Sequence, residues 1–244
     1  MSDIKIFNQD CLEYMKTIKD KSVDLIVTDP PYDLHVGIEG GTCSGHIGRG
    51  QYKNQNVSDI KNFGFGYDIK TFGIEFVRIM KDINIYLWCN KRQIPEYFNY
   101  YVNELNCKYE ILSWHKKGNC MPTYNNKYLS DTEYCLYFRN GNNQLHPNSF
   151  EDAKTYWFEP ISQADKLKYK HPTIKPLNMI EKLVRNSSNE GDLVFDPFLG
   201  SGTTGVACKN LNRNFIGTEI SEEYFKIAQD RLNEDKQHIE GFFE

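Results

Sequence analysis

The stretch DLVFDPFLGSGTTGVACKNLNRNFIGTEI, residues 192–220, decides the fold. It opens on a short apolar run at 192–195 and turns through Gly200 and Gly202. A helix-compatible segment follows at 203–211, and a second apolar run closes it at 215–220. Strand, glycine-rich turn, helix and strand in succession make one unit of a parallel sheet. In open sheets of this kind ligands gather at the carboxyl ends of the strands, so the turn 196–204 (DPFLGSGTT) faces a binding crevice. Glycines there let a ligand approach the backbone, and the helix start at Thr203 and Thr204 offers unpaired N–H groups to an anion. Glu219 ends the second strand, where an acidic side chain takes a ribose diol. The turn is not a Walker loop, because no Lys follows the glycines, and Gly-x-Gly-x-x-Gly is absent.

The same rhythm extends outward in both directions. Residues 4–7 predict a strand and 11–18 a helix. The run 23–28 (VDLIVT) has the β-branched character of a strand buried on both faces. Residues 83–89 repeat it, with a helix over 95–105. Strands are expected at 108–114 and 133–139, a helix over 176–187, and a final helix from Ser221. The fold class predicted is α/β, a doubly wound Rossmann-like sheet. Residues 33–66 break the pattern: eight glycines among polar and basic residues form a long loop, a length that in a compact domain points to function or disorder. The chain reads as a single domain, 1–244, carrying that loop.

Asp29-Pro30-Pro31-Tyr32 follows the buried run at 23–28 directly. An exocyclic base amine is a weak nucleophile because its lone pair is delocalised into the ring. Two acceptors placed for its two N–H hydrogens favour a more tetrahedral nitrogen with the lone pair directed outward. The Asp29 carboxylate serves as one acceptor and the Pro30 carbonyl as the other; successive prolines fix that carbonyl. Tyr32 offers an aromatic face for an extruded base. The plain alternative is a strand-to-turn connection, for which Asp-Pro-Pro is ordinary chemistry.

Taken together, DPPY at 29–32, HPTIKP at 171–176, DPFLGSGTT at 196–204, GTEISEEYFKIAQDRL at 217–232 and QDCLEYM at 9–15 resemble the amino-group DNA methyltransferases of the permuted β class. In that class the catalytic motif precedes the cofactor motif. The resemblance implies S-adenosylmethionine as cofactor, with Asp10, Cys11 and Phe198 near its adenine and Glu219 on its ribose. Lys175, Thr203 and Thr204 then lie near the methionine end, and Asp196, Gly200, Ser201 and Gly202 of the turn are expected to bind the cofactor with them. It implies double-stranded DNA as partner and base flipping before transfer. An Asp heading the tetrapeptide leans to adenine N6 and a Ser to N4 of cytosine, so Asp29 favours adenine. Cytosine N4, an RNA or protein amine, and a catalytically inactive DNA-binding module are the alternatives. A small DNA-recognition region is expected within 114–165, with 114–127 and the glycine-rich loop as its candidates. Relatives commonly dimerise, which leaves a homodimer open.

Bulk properties set limits on these readings. Hydrophobic residues make up 39% and charged residues 25%, as in ordinary globular chains. No apolar run reaches the ~20 residues of a membrane span, and the N-terminus lacks the charged and apolar segments of a secretory signal. A cytoplasmic protein without membrane contact is expected. Seven cysteines without a Cys-x-x-Cys pair predict reduced thiols, and Cys11 and Cys208 read as small packing residues. His35, Cys43 and His46 are too scattered to predict a metal site, and none is expected. Net charge is −4, so DNA contact must come from local basic segments. Lys166, Lys168, Lys170, His171 and Lys175 form one, Arg49, Lys53 and Lys61 a second, and Lys116 with Lys117 a third. Trp157, in the aromatic cluster TYWFEP, reads as core.

Overall fold

The computed structural model describes residues 2–31, 67–117, 131–143, 145–160, 162–169 and 174–240. Tyr32, the glycine-rich stretch 33–66 with His35, Cys43 and His46, residues 118–130, and His171 lie outside the described residues.

Among the described residues eight strands form one sheet: β1 (Ile4–Phe7), β2 (Leu25–Thr28), β3 (Asn84–Cys89), β4 (Lys108–Lys116), β5 (Thr132–Arg139), β6 (Tyr156–Glu159), β7 (Leu193–Asp196) and β8 (Asn214–Thr218). Their order across the sheet is β1-β8-β7-β2-β3-β5-β4-β6. Among the described residues β5 is the only strand that runs against the rest: it pairs antiparallel with both β3 and β4, while every other pairing is parallel. The helices are α1 (Cys11–Met15), α2 (Ile69–Ile79), α3 (Ile94–Phe98), α4 (Gln163–Tyr169), α5 (Leu177–Ser187), α6 (Thr203–Asn210) and α7 (Glu222–Glu240). The single helix expected at 95–105 is α3 followed by a π-helical turn, Asn99–Glu104.

Alternation along β2 shows how both faces are covered. Leu25 and Val27 join one core layer with Met179, Leu183, Val184 and Ala228, contributed by α5 and α7. Ile26 points the other way, into a layer with Met15, Phe72, Phe76, Ile79 and Tyr97 from α1, α2 and α3. Since side chains alternate across a strand, a strand buried on both sides must be apolar at consecutive positions, and Leu25, Ile26 and Val27 are at most 1% exposed. The sheet is therefore doubly wound, as its sequence predicted. No helix among the described residues is long and apolar enough to cross a membrane.

Helix α2 is not among the elements expected above, although its signals are present in the sequence. Asp68 caps it by accepting the Thr71 N–H at 2.7 Å, and Ile69, Phe72, Phe76 and Ile79 form its buried stripe. Trp157 is core, as expected: it lies on β6 and packs 6.2 Å from Trp88 between ring centres. Trp114, grouped with the DNA-reading segment 114–127, is instead 2% exposed on β4, its indole N–H donating to the Glu159 carbonyl at 2.9 Å.

Candidate active site

Strands β2 and β7 are neighbours, and their connections depart to opposite sides. β2 leads through α2 to β3; β7 leads through α6 to β8. This is the topological switch point of the sheet, where the carboxyl ends of two strands open a crevice. Asp29, Pro30 and Pro31 extend from the end of β2, and the turn from Asp196 to Gly202 extends from the end of β7. The two motifs, far apart in sequence, thus share one edge.

A buried hydrogen bond joins them. The Thr28 hydroxyl donates to Asp196 Oδ1 at 2.7 Å, while Asp196 Oδ2 accepts from the Thr204 hydroxyl at 2.7 Å. The Phe198 N–H adds a third donor to Oδ1 at 3.1 Å. Burial pushes the Asp196 carboxyl up to about 6, against the opposing pull of the Thr204 and Thr28 hydroxyls and the Phe198 N–H. Asp196 therefore acts as a buckle between β2, β7 and the start of α6.

The glycine-rich turn is held from several sides. Gly202 caps α6 at φ +81°, and a Cβ there would stand 3.1 Å from the Ala228 Cβ on α7. Backbone conformation and close helix contact both require glycine at this position. The Leu199 N–H donates to the Thr218 carbonyl at 2.9 Å, and the Gly200 N–H to Glu219 Oε2 at 2.8 Å. The other Glu219 oxygen accepts the Ser221 N–H at 2.9 Å. Burial pushes the Glu219 carboxyl up, opposed by these backbone N–H groups. Each oxygen accepts one of these bonds, so the carboxylate is oriented and retains lone pairs for a diol. Ser201 and Thr203 are braced by Arg231 of α7: its Nη1 donates to Thr203 Oγ1 at 2.8 Å and lies 3.3 Å from the Ser201 carbonyl. Arg231 is 5% exposed and stacks 4.5 Å from the Tyr169 ring centre on α4.

Asp10 and Cys11 lie at the end of β1, the strand beside β8. The Glu219 N–H donates to the Phe7 carbonyl at 3.0 Å, and the Asn8 amide donates to the Glu219 carbonyl at 2.8 Å. Asp10 caps α1 through the Glu13 N–H. Burial, with Asp10 and Glu219 nearby, pushes the Cys11 thiol up to about 12, so it is a neutral wall group. Cys208 is likewise buried and its thiol is raised by burial, which agrees with packing roles for both. The Phe198 ring meets Phe72 at 5.5 Å and Tyr67 at 5.6 Å.

On the β2 side, Pro30 is buried and the Pro31 carbonyl accepts from Gln93 Nε2 at 3.4 Å. The Asp29 carboxylate is ion-paired with Lys175. Lys175 was grouped with a basic segment, but its side chain is 6% exposed and points inward. It also lies 3.3 Å from Glu133, and its Nζ stands 5.0 Å from the Trp88 ring centre. Lys116, from another of the basic segments, is paired with Glu133. Lys168 pairs with Glu234 at 2.7 Å. Charge runs read as DNA-facing are in these three cases engaged with acidic partners of the chain.

Asp10, Cys11, Asp29, Pro30, Pro31, Lys175, Phe198, Gly200, Ser201, Gly202, Thr203, Thr204 and Glu219 thus come to the carboxyl edge of the sheet, with Asp196 buried beneath. Sequence reasoning missed Glu133, Trp88, Gln93 and Arg231. Arg231 sits in the block GTEISEEYFKIAQDRL and was findable there; lone Glu133 stands in no motif.

Comparison with known proteins gives consistent results. The N6/N4 methyltransferase family model, described as DNA methylase, matches residues 23–230. The Type II methyltransferase M.HpaI of Haemophilus parainfluenzae is 28% identical over 242 residues, covering 95% of this chain and 74% of that protein. The Type II methyltransferase M2.LlaDCHI of Lactococcus lactis subsp. cremoris is 31% identical over 249 residues, covering 93% of this chain and 88% of that one. The crystal structure of the M1.HpyAVI–SAM complex superposes with a TM-score of 0.67 at 26% identity, covering 94% of this chain and all of that chain.

Proposed function

The chain belongs to the N6/N4 DNA methylase family, and on that premise we propose that it methylates adenine N6 in duplex DNA. It is an amino DNA methyltransferase, and its methyl donor is S-adenosylmethionine. One observation carries the proposal: Asp29 and the Asp196–Thr204 turn occupy the same edge at the switch point, joined through the Thr28–Asp196 hydrogen bond.

The residues at that edge fit the donor. Glu219 presents an oriented carboxylate to a ribose diol. Phe198, with Asp10 and Cys11, offers a wall for an adenine ring. The start of α6 provides N–H groups for a carboxylate, and the Thr203 hydroxyl, accepting from Arg231, retains its hydrogen to donate. The absence of a Cβ at Gly202 keeps the turn tight against α7. When bound, S-adenosylmethionine supplies an electrophilic methyl group on a sulfonium.

The chain's own task is to make an amine nucleophilic and aim it. Asp29 and the Pro30 carbonyl accept the two N–H bonds of the flipped base, which directs the nitrogen lone pair toward the donor. Tyr32 stacks on the base. Positioning of this kind can supply much of a rate enhancement, ~7–11 kcal/mol in well-oriented systems. The nitrogen becomes acidic once methylated, so its excess proton leaves through Asp29 or water, and no stronger base is needed. Cysteine nucleophiles have no part here, consistent with the raised Cys11 thiol. The choice of adenine rests on Asp29 at the head of the tetrapeptide. The whole chain acts as one methyltransferase domain, with DNA reading assigned to residues within 114–165 and to 33–66.

The test is incubation with tritiated S-adenosylmethionine and unmethylated bacterial DNA, then nucleoside analysis of the digest. Label is expected in N6-methyladenine. Label in N4-methylcytosine keeps the chemistry and overturns the base; no label in DNA overturns the substrate.

A further inference from the structure

A partly buried chain of charges reaches Asp29 from the β3 side of β2, opposite β7, and the amine chemistry above makes no use of it. Its order is Asp29, Lys175, Glu133, Lys116. Lys175 touches both carboxylates, and Glu133 gives one oxygen to Lys175 and the other to Lys116. The side chains of Lys175, Glu133 and Lys116 are 6%, 17% and 16% exposed. The topology explains how Glu133 arrives there. Because β5 is antiparallel, its first residues lie at the carboxyl ends of β3 and β4: Tyr134 pairs with Cys89, and Thr132 with His115.

An ammonium held by Asp29 alone would draw on the same lone pairs that the target amine needs. A second carboxylate on that ammonium divides its pull. We propose that Glu133 is a positioning residue for methyl transfer, sharing Lys175 with Asp29 so that the Asp29 carboxylate stays oriented and basic enough to accept the N–H bonds of the target base. This rests on the reading of Asp29 as amine acceptor. Burial alone would push the Glu133 carboxyl up, but Lys175 and Lys116 outweigh it and hold it below the usual carboxylate range. Burial alone would lower Lys175, and Asp29 and Glu133 together reverse that. Both groups are therefore charged at neutral pH. Among the described residues, the other titratable groups facing Asp29 include Asp196 on β7 and the thiols of Cys89 on β3 and Cys135 on β5. Burial pushes both thiols up, Cys89 to about 12, so they stay neutral. Burial pushes Asp196 up to about 6 as well, so the informative quantity is the shift of the limb between variants.

The experiment measures the single-turnover methyl-transfer rate against pH for wild type, Glu133→Gln, Glu133→Asp and Lys116→Met, with cofactor affinity and melting temperature for each. In Glu133→Gln, Lys175 keeps Asp29 and loses the Glu133 carboxylate. The plateau rate is expected to fall by roughly tenfold to a hundredfold, as small misplacements of reacting groups do, and the acid limb to move to lower pH. Cofactor affinity stays at the wild-type level, and Glu133→Asp recovers most of the rate. Lys116→Met leaves Glu133 freer to draw Lys175 away, so its acid limb moves to higher pH. A wild-type plateau and limb in Glu133→Gln overturns the inference, as does a lost rate with an unshifted limb and equally lost cofactor affinity. If Glu133→Gln does not fold, Lys116→Met decides alone: an upward shift supports the inference and an unshifted limb ends it. Asp29→Ala separates the two levels. Activity in that variant removes the reading of Asp29, whereas its inactivity beside a fully active Glu133→Gln removes only the role of Glu133.

Discussion

Asp196 turns both oxygens into the protein, where two hydroxyls and a backbone N–H meet them. Its carboxyl is raised from an ordinary 3.8 to about 6, so the folded state holds its proton more tightly than the unfolded chain does. The sign follows from linkage. The stability contributed by the protonated form is complete below the unfolded value and is lost as pH rises through about 6. Wild type should therefore lose stability relative to Asp196→Asn across the window from about 4 to about 6. Urea unfolding at several pH values reads that slope; a constant offset, set only by altered hydrogen bonds, would contradict it. At Gly202, with φ +81° and Ala228 at 3.1 Å, Ala should cost at least about 1–2 kcal/mol from the left-handed backbone alone. Denaturant midpoints check the cost, and cofactor titration should show weaker binding as the turn shifts.

The cofactor turn is stabilised at the level of elements by α7 and α4 packing behind it. Arg231 reaches Ser201 and Thr203 from α7 and carries Tyr169 of α4 on its face. Arg231→Met should lower stability by about 1–3 kcal/mol, because buried acceptors lose a charged donor. Cofactor affinity should fall with it, whereas unchanged affinity by titration would show that the turn holds itself. Elements differ in how far sequence exposes them. β2, β3 and β7 are apolar runs between turn residues and were legible, as were α5 and α6. Helix α2 was readable through Asp68 and its stripe at Ile69, Phe72, Phe76 and Ile79, but it follows directly on a glycine-rich stretch that masks a change of pattern. β6 has four residues, three of them aromatic, so it reads as a cluster before it reads as a strand. The π-helical turn at Asn99–Glu104 carries no sequence signal distinct from that of an α-helix.

For the whole molecule, the doubly wound class was legible because each βα unit declares itself locally. Strand order is a different matter. Placing β5 between β3 and β4 depends on pairings between distant segments, and that placement brings Glu133 to the active edge. The motif residues of the site could be read from the chain, since glycines, prolines and acids at strand ends have local causes. Lys175 and Asp29 are 146 residues apart, and nothing local shows that a lysine in a basic run turns inward to a carboxylate. The pairing of Lys116 with Glu133 and of Lys175 with Asp29 leaves other basic residues to meet the phosphates, and a net charge of −4 adds no general attraction. Methyl transfer to DNA should accordingly weaken with added salt in proportion to a short list of phosphate contacts. Rates measured across a salt series check this, and a flat series would contradict it.

Methyl transfer, on the reading proposed above, depends on Asp29 at the switch point activating the amine. The most direct measurement is the single-turnover rate of methyl transfer to DNA by Asp29→Ala, with S-adenosylmethionine affinity determined on the same preparation. Transfer should fall by about a thousandfold or more, the scale of removing a group that acts on the reacting atoms, while cofactor affinity stays at the wild-type level. A variant that transfers methyl groups at the wild-type rate would contradict the account.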